Sequence, residues 1–326
     1  MKAILHAGLR HAVAGAITLA AAGAAHAEFP NQPLRVIVPF GAGGATDVIA
    51  RTVAQEMGTR LGQTVIVENR SGANGNVGAA LAARSAPDGH TILMATSSHA
   101  INVTLYQNLD YSLTNDFAGV SNLASVPLVL VVNNDVPAKS VDELAAYVKA
   151  QGNKLSYASG GTGTAAHLTG VQFNTLADGK MIHVPYKGGA QAINDLIGGQ
   201  VHLMFANLPE VLQQVNGGRL RALAITGDAR HTALPDVPAL AETPAYADMQ
   251  ARSWFGLFVP AKTPADVVQK LSTTIEASVA DPGVQQKLKA LGADPIGNGY
   301  QAFQQYVSED VPRWEALVRE SGASVE

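Results

Sequence analysis

Short runs of β-branched and aliphatic residues alternate along the chain with longer segments whose apolar residues recur every three or four positions. The apolar runs predict strands at residues 34–39, 64–68, 91–95, 128–132, 155–158, 181–184, 201–205, 221–225 and 254–259. The amphipathic segments predict helices that begin at 46–47 and near 165, and others at 141–150, 190–197, 264–280, 282–291 and 300–321. Continuous apolar strands that alternate with helices indicate an α/β protein with parallel sheets covered on both faces.

The length of the chain bears on how these elements are divided. A chain of 326 residues is too long for one ordinary domain and suits two domains of about 130–150 residues. We expect the chain to cross between two α/β lobes near residues 122–128 and 245–256. In this prediction residues 28–124 and 250–326 form lobe 1, and residues 125–249 form lobe 2 as an insertion.

The first 27 residues differ in kind from the rest. The basic residues Lys2 and Arg10 precede an apolar stretch at 12–25, and Ala25-His26-Ala27 matches the small-x-small pattern of a signal-peptidase site. The apolar run is shorter than the ~20 residues that span a bilayer comfortably, although a retained N-terminal anchor is the alternative. We therefore predict a signal peptide that is cleaved after Ala27, and a periplasmic mature protein.

Composition and missing motifs argue against several functions. The formal charge of −4 gives no sign of a nucleic-acid partner, and the absence of cysteine excludes disulfides, thiolate metal sites and cysteine nucleophiles. The chain contains no nucleophile elbow, zinc-protease histidine pair or P-loop. The nearest dinucleotide pattern is G-x-G-x-x-A at 161–166, with Asp178 roughly where a ribose-binding acid would lie. We expect no catalytic residues, no metal and no cofactor, and a dinucleotide-dependent enzyme is the catalytic alternative.

Two glycine-rich loops, at 40–44 and 159–164, each follow a predicted strand and open a predicted helix. The first backbone N–H groups of a helix lack internal partners, and the helix dipole adds partial positive charge there, so such a turn can bind an anion. Ligands of open α/β sheets also bind at the carboxyl ends of the strands. One loop in each lobe predicts a carboxylate held between two facing helix N-termini.

Further residues beside these loops complete the predicted site. Thr96, Ser97 and Ser98 follow one strand, Lys187 and Gly188 precede a helix, and Asn207 follows another strand. We expect Asp47, with Arg51 as its partner, and His167 to be structural neighbours of the site. The predicted ligand-binding residues are Phe40, Gly41, Ala42, Gly43, Gly44, Thr46, Ser97, Ser159, Gly160, Gly161, Thr162, Gly163, Thr164, Lys187, Gly188 and Asn207.

Seven stretches, which together cover most of the chain after residue 27, resemble one family. They are VPFGAGGATDVIAR (38–51), LGQTVIVENRSGANGNVG (61–78), APDGHTIL (86–93), LSYASGGTGTAAHL (155–168), HVPYKGGAQAINDLIGGQV (183–201), GRLRALAI (218–225) and LPDVPALAE (234–242). They resemble the substrate receptors of tripartite tricarboxylate transporters, also called Bug proteins. Ala42 departs from the family pattern, in which proline is common at that position, and Gly189 is also variable there.

The resemblance implies a two-lobe, type II periplasmic-binding-protein fold, in which each lobe is a mainly parallel sheet covered by helices and a hinge joins the lobes. It also implies a ligand carboxylate gripped by residues 40–46 and 159–164, often through ordered water. Integral-membrane transporter subunits would be the partners.

A transport receptor is the leading function, and a periplasmic sensor for a membrane kinase or a periplasmic enzyme are the alternatives. We expect a monomer. Dicarboxylates, tricarboxylates, aromatic carboxylates and amino acids all remain open as ligands. An amino acid would need an acidic side chain near its ammonium group, and the two loops contain none apart from the adjacent Asp47. This favours a plain di- or tricarboxylate or an aromatic carboxylate.

Overall fold

Strands and helices alternate through most of the chain, as the apolar pattern predicts. The structure is a computed structural model that describes residues 29–323 and 325, so the predicted signal peptide and its cleavage site lie outside the described residues. All elements below belong to one unit, Gln32–Glu326.

The strands are β1 (Leu34–Val38), β2 (Val65–Asn69), β3 (Thr91–Thr96), β4 (Phe117–Val132), β5 (Ser156–Ser159), β6 (Ile182–Pro185), β7 (Leu203–Asn207), β8 (Arg221–Ile225), β9 (Arg252–Pro260) and β10 (Asp294–Pro295). The α-helices are α1 (Ala45–Leu61), α2 (Asn76–Ala83), α3 (Ser97–Leu105), α4 (Val141–Gln151), α5 (Ala165–Leu176), α6 (Gly189–Ile197), α7 (Leu208–Asn216), α8 (Ala265–Ala280), α9 (Pro282–Ala290) and α10 (Tyr300–Ser321).

The sheet is mixed. Its strand order is β2-β1-β3-β9-β4-β7-β5-β6, with β8 and β10 also paired to β4. The expected parallel pairing holds between β1 and its neighbours β2 and β3, and between β5 and its neighbours β6 and β7. The long strands β4 and β9 run antiparallel to their neighbours and join the two parallel groups.

Strand β4 is much longer than the predicted 128–132. Its first part pairs with β9 as far as Pro127, and Leu128–Val132 pairs with β7 and β8. The first part was missed because Ser121 and Asn122 interrupt its apolar pattern. Both are buried, and hydrogen bonds to Asn298 satisfy the Ser121 hydroxyl (2.7 Å) and the Asn122 backbone N–H (2.9 Å). Buried polar groups are tolerated when they are hydrogen-bonded in this way.

The parallel strands bring five chain segments to one edge of the sheet. Strands β1 and β3 end just before the first glycine-rich loop and before α3, and β5, β6 and β7 end just before α5, α6 and α7. The helix N-termini therefore gather where the carboxyl ends of the strands meet. Within the described part of the chain, no helix is long and apolar enough to cross a membrane.

The last helix packs on the antiparallel strands through one close approach. Phe303 of α10 is fully buried, and its ring centroid lies 5.7 Å from that of Trp254 and 5.0 Å from that of Phe258, both on β9. Gly256 lies between these two residues on the strand. A methyl group at Gly256 would lie 2.1 Å from the Phe303 ring. The absence of a side chain at Gly256 therefore lets the ring lie directly on the strand.

We predict that Gly256→Ala destabilises the protein by about 1–3 kcal/mol, because overpacking a filled core forces side chains and backbone to shift. Urea unfolding followed by circular dichroism measures the effect. Gly198→Ala is the matched control, since a methyl group there meets only ordinary contacts at 3.5 Å and beyond. Equal stability of the two variants would contradict this account of the packing.

Candidate functional site

A cavity of about 260 Å³ lies at the edge where the strand ends meet. Most of the predicted ligand-binding residues line it. These are Phe40, Gly41, Ala42, Gly44, Thr46, Ser97, Gly160, Thr164, Lys187, Gly188 and Asn207. Segments that are far apart in sequence thus contribute to one concave site.

The remaining predicted residues lie beside this cavity. Gly161 and Thr162 line a neighbouring cavity of about 450 Å³, which shares Phe40, Gly160 and Lys187 with the first. Gly43, Ser159 and Gly163 line neither cavity and make local hydrogen bonds instead.

The helix N-termini at the cavity differ in how they are capped. Thr96 caps α3 by accepting from the Ser98 N–H, and Thr164 caps α5 by accepting from the His167 N–H. In contrast, α1 and α6 begin at Gly44 and Gly188, which have no side chain to act as a cap. The first-turn N–H groups of α1 and α6 therefore have the greatest capacity to bind an anion. Asn207 at the start of α7 likewise makes no side-chain cap, but Pro209 lies in the first turn of α7 and has no N–H to donate. The predicted partner of α1 is α5, whose N-terminus is capped by Thr164, so α6 is a further candidate at the same cavity.

Asp47 holds the first loop in place. Its carboxylate accepts from the Gly43 N–H at 3.0 Å and from the Asn69 amide at 2.9 Å, and it forms the expected ion pair with Arg51. Asn69 also donates to the Phe40 carbonyl at 3.1 Å. Burial raises the pKa of Asp47, but hydrogen bonds from Arg51, Gly43 and Asn69 outweigh burial and hold that pKa below its ordinary value. Asp47 is thus a charged residue that stabilises the conformation of the first glycine-rich loop.

Two stacked histidines support the second loop. The His167 and His183 ring centroids are 3.9 Å apart, and His167 Nδ1 accepts from the Gly163 N–H at 3.1 Å. Burial lowers the pKa of His167 to about 4 and that of His183 to about 3, so both rings are neutral near pH 7. The Ser159 hydroxyl lies 2.7 Å from His183 Nε2, but Ser159 is fully buried and lies outside the cavity lining. This serine–histidine pair supports the loop and has no access to a ligand in the cavity.

Sequence reasoning missed one acidic residue that lines the cavity, Glu210 in the first turn of α7. Its Oε1 accepts from the Ala45 N–H of α1 at 3.4 Å, and a methyl group at Gly189 of α6 would lie 2.5 Å from its carboxyl group. Burial raises the pKa of Glu210, while hydrogen bonds from Ala45 and Asn207 oppose that rise. The sequence Asn207-Leu208-Pro209-Glu210 follows a strand and has the spacing of a capping box, which could have drawn attention to Glu210.

The rest of the cavity wall combines small, polar and apolar groups. Met204 and Phe255 are buried apolar residues of β7 and β9. The other lining residues are Ala45, Thr96, Ser98, Ala165, Ala166, Gly189, Ala190, Gln191 and Ser253. A site of this kind suits a small ligand that has a polar end and a short hydrocarbon body.

Known proteins resemble this chain over nearly all of its length. Residues 49–323 match the family model described as the tripartite tricarboxylate transporter family receptor. The protein BugT from Bordetella pertussis is 36% identical over 299 residues, which are 91% of each chain.

Two solved structures extend the similarity to the fold. The periplasmic binding protein BugD is 37% identical, with a TM-score of 0.87 over 91% of this chain and 100% of BugD. A protein from R. palustris solved with adipate is 33% identical, with a TM-score of 0.88 over 91% of this chain and 99% of that one. The chain has the two-lobe fold of periplasmic binding proteins, and it belongs to the receptor family of the tripartite tricarboxylate transporters.

Proposed function

We propose that this protein is a periplasmic receptor that captures a small carboxylate in the cavity between the strand ends and delivers it to a tripartite membrane transporter. The observation that carries the proposal is the convergence on one cavity of α1 and α6, two helix N-termini that each follow a glycine and lack an N-cap side chain. Backbone N–H groups there have the direction and the partial charge to hold a carboxylate.

The family supports both halves of the proposal. Its members are receptors of tripartite transporters, and one relative has been solved with adipate, a dicarboxylate. Lys187 adds a positive charge at the cavity rim, and the Ser97 hydroxyl adds a further donor. The proposed ligand lies with its carboxylate against the N–H groups and its hydrocarbon part toward Met204 and Phe255.

The rival functions predict different partners and products. A sensor would use the same cavity but dock on a membrane kinase, so its gene would lie beside a kinase gene and not beside genes for integral-membrane transporter subunits. An enzyme would convert its ligand. Recovery of the bound ligand unchanged after prolonged incubation supports a receptor, and conversion to a product would contradict it.

A ligand screen tests the proposed class directly. We predict that mature protein beginning at residue 28, freed of co-purified ligand, melts at a higher temperature with one group of small carboxylates. Binding to the native state stabilises it by about 2.7 kcal/mol at a ligand concentration one hundred times Kd. Methyl esters of the same acids are the control, because they lack the charge. No shift with any carboxylate, in folded and empty protein, would refute the proposal.

The role of the α6 N-terminus has its own test. We predict that Gly188→Asp weakens carboxylate binding at least tenfold, because the new side chain both caps α6 and brings a like charge to the cavity. Isothermal titration calorimetry measures the affinity. Nothing lies within 4 Å of where a methyl group at Gly188 would be, so the melting temperature should stay the same or rise.

Gly188→Asn and Gly188→Ala separate the two causes. Asparagine caps the helix without adding charge, and alanine neither caps the helix nor adds charge. We therefore expect the affinity for the carboxylate to decrease from the alanine variant to the asparagine variant to the aspartate variant. Unchanged affinity in Gly188→Asp would show that the carboxylate binds elsewhere.

We also propose that residues 28–124 and 250–326 form one lobe and residues 125–249 the other, and that ligand closes them. The cavity is lined from both sequence groups, so a ligand that contacts both stabilises the closed state. Small-angle X-ray scattering should show a smaller radius of gyration with saturating ligand. The Gly188→Asp variant in the same solution is the control. Binding without any compaction in the wild-type protein would contradict closure.

A further inference from the structure

The carboxyl group of Glu210 lies between the same two helix N-termini that we propose for the ligand. It accepts from the Ala45 N–H of α1 at 3.4 Å, and it lies so close to Gly189 of α6 that a methyl group there would be 2.5 Å from it. A methyl group at Gly44 would be 3.7 Å from its Oε1. A ligand carboxylate bound to these N-termini therefore meets an acidic side chain of the protein at close range.

This arrangement has an electrostatic consequence for the choice of ligand. Two carboxylates at such short range in a partly desolvated cavity repel each other, unless a positive group lies between them or one of them takes up a proton, which burial of Glu210 favours by raising its pKa. Lys187 lines the cavity, but its side chain is solvent-exposed and its charge is therefore screened. A ligand that carries its own ammonium group beside its carboxylate would place a positive charge next to Glu210.

A second acceptor lies in the same turn of the chain. Asn207 also lines the cavity, and its amide oxygen is buried without a hydrogen-bond partner among the described residues. Buried polar atoms of this kind are rare, and each needs an explanation such as a missing ligand or water. An ammonium group has three N–H donors and could satisfy both Asn207 and Glu210.

Helix capping explains only part of this geometry. Glu210 has the capping-box position relative to Asn207, and their hydrogen bonds stabilise the start of α7. Capping requires neither the contact with α1 nor the close approach to Gly189 of α6. It also leaves the Asn207 oxygen without a donor.

We propose that Glu210 and Asn207 form an acceptor subsite for an ammonium group, so that the preferred ligand is an amino-substituted carboxylate. The inference rests on the proposed function and narrows it. It also reverses the preference drawn from the loop sequences, because the acidic residue that an amino acid needs comes from α7, outside both glycine-rich loops.

Matched pairs of compounds that differ only by an α-amino group test the subsite. The probes are propionate and alanine, succinate and aspartate, glutarate and glutamate, and 3-phenylpropionate and phenylalanine. With the wild-type protein, calorimetry should show at least one amino acid binding tenfold or more tightly than its matched acid. Glu210→Gln should lower the affinity for that amino acid at least tenfold and leave the affinity for the matched acid the same or higher.

The control variant is Glu309→Gln, which makes the same substitution at an exposed position on α10, outside the cavity lining. It should bind like the wild-type protein. Asn207→Asp is a second variant, since it keeps the acceptor oxygen and adds negative charge. It should weaken the binding of plain acids more than the binding of amino acids.

Each possible outcome bears on the inference. The inference would be overturned if the wild-type protein preferred the plain acids. It would also be overturned if Glu210→Gln lowered the affinity for both compounds of a pair equally. If carboxylates bind with no effect of the amino group, the inference fails and the proposed function stands. If no acid or amino acid in the series binds to folded, ligand-free protein, both fail.

Discussion

Unsatisfied backbone N–H groups at the start of two helices are the constraint on which the site depends. A helix N-terminus needs an acceptor, and Ser, Thr, Asp and Asn are the residues whose side chains are preferred in that role. At this cavity α3 and α5 are capped by Thr96 and Thr164, whereas α1 and α6 begin at glycines that offer no acceptor. The sheet brings all four helices to one edge, so the missing acceptor can come from a ligand.

The surrounding polar network keeps these N-termini in place. Asp47 ties the first loop to Arg51 and Asn69, and the neutral histidine stack supports the second loop through Gly163. Glu210 then joins the first turns of α1 and α7. The groups that fix the site are thus charged or polar residues with defined partners. The Ala45 N–H donates to Glu210, but the glycines that precede α1 and α6 supply no cap for the other first-turn N–H groups.

Much of this arrangement follows from local sequence patterns. The apolar runs fix most strands, and the glycine-rich turns after β1 and β5 indicate where ligand loops lie. Local patterns fail to predict a feature when contacts between residues far apart in sequence determine it. Ser121 and Asn122 interrupt the apolar pattern in the first part of β4, and their hydrogen bonds to the distant Asn298 join the Ser121 hydroxyl and the Asn122 backbone N–H to that residue. Glu210 was missed for the same reason, since only the fold brings α7 against α1 and α6.

A crystal structure of the mature protein with a bound carboxylate, identified by its effect on the melting temperature, tests the central claim most directly. The account predicts carboxylate oxygens at about 2.7–3.2 Å from first-turn backbone nitrogens of α1 and α6. A carboxylate that instead contacts only the capped N-terminus of α5, or lies outside this cavity, would contradict it.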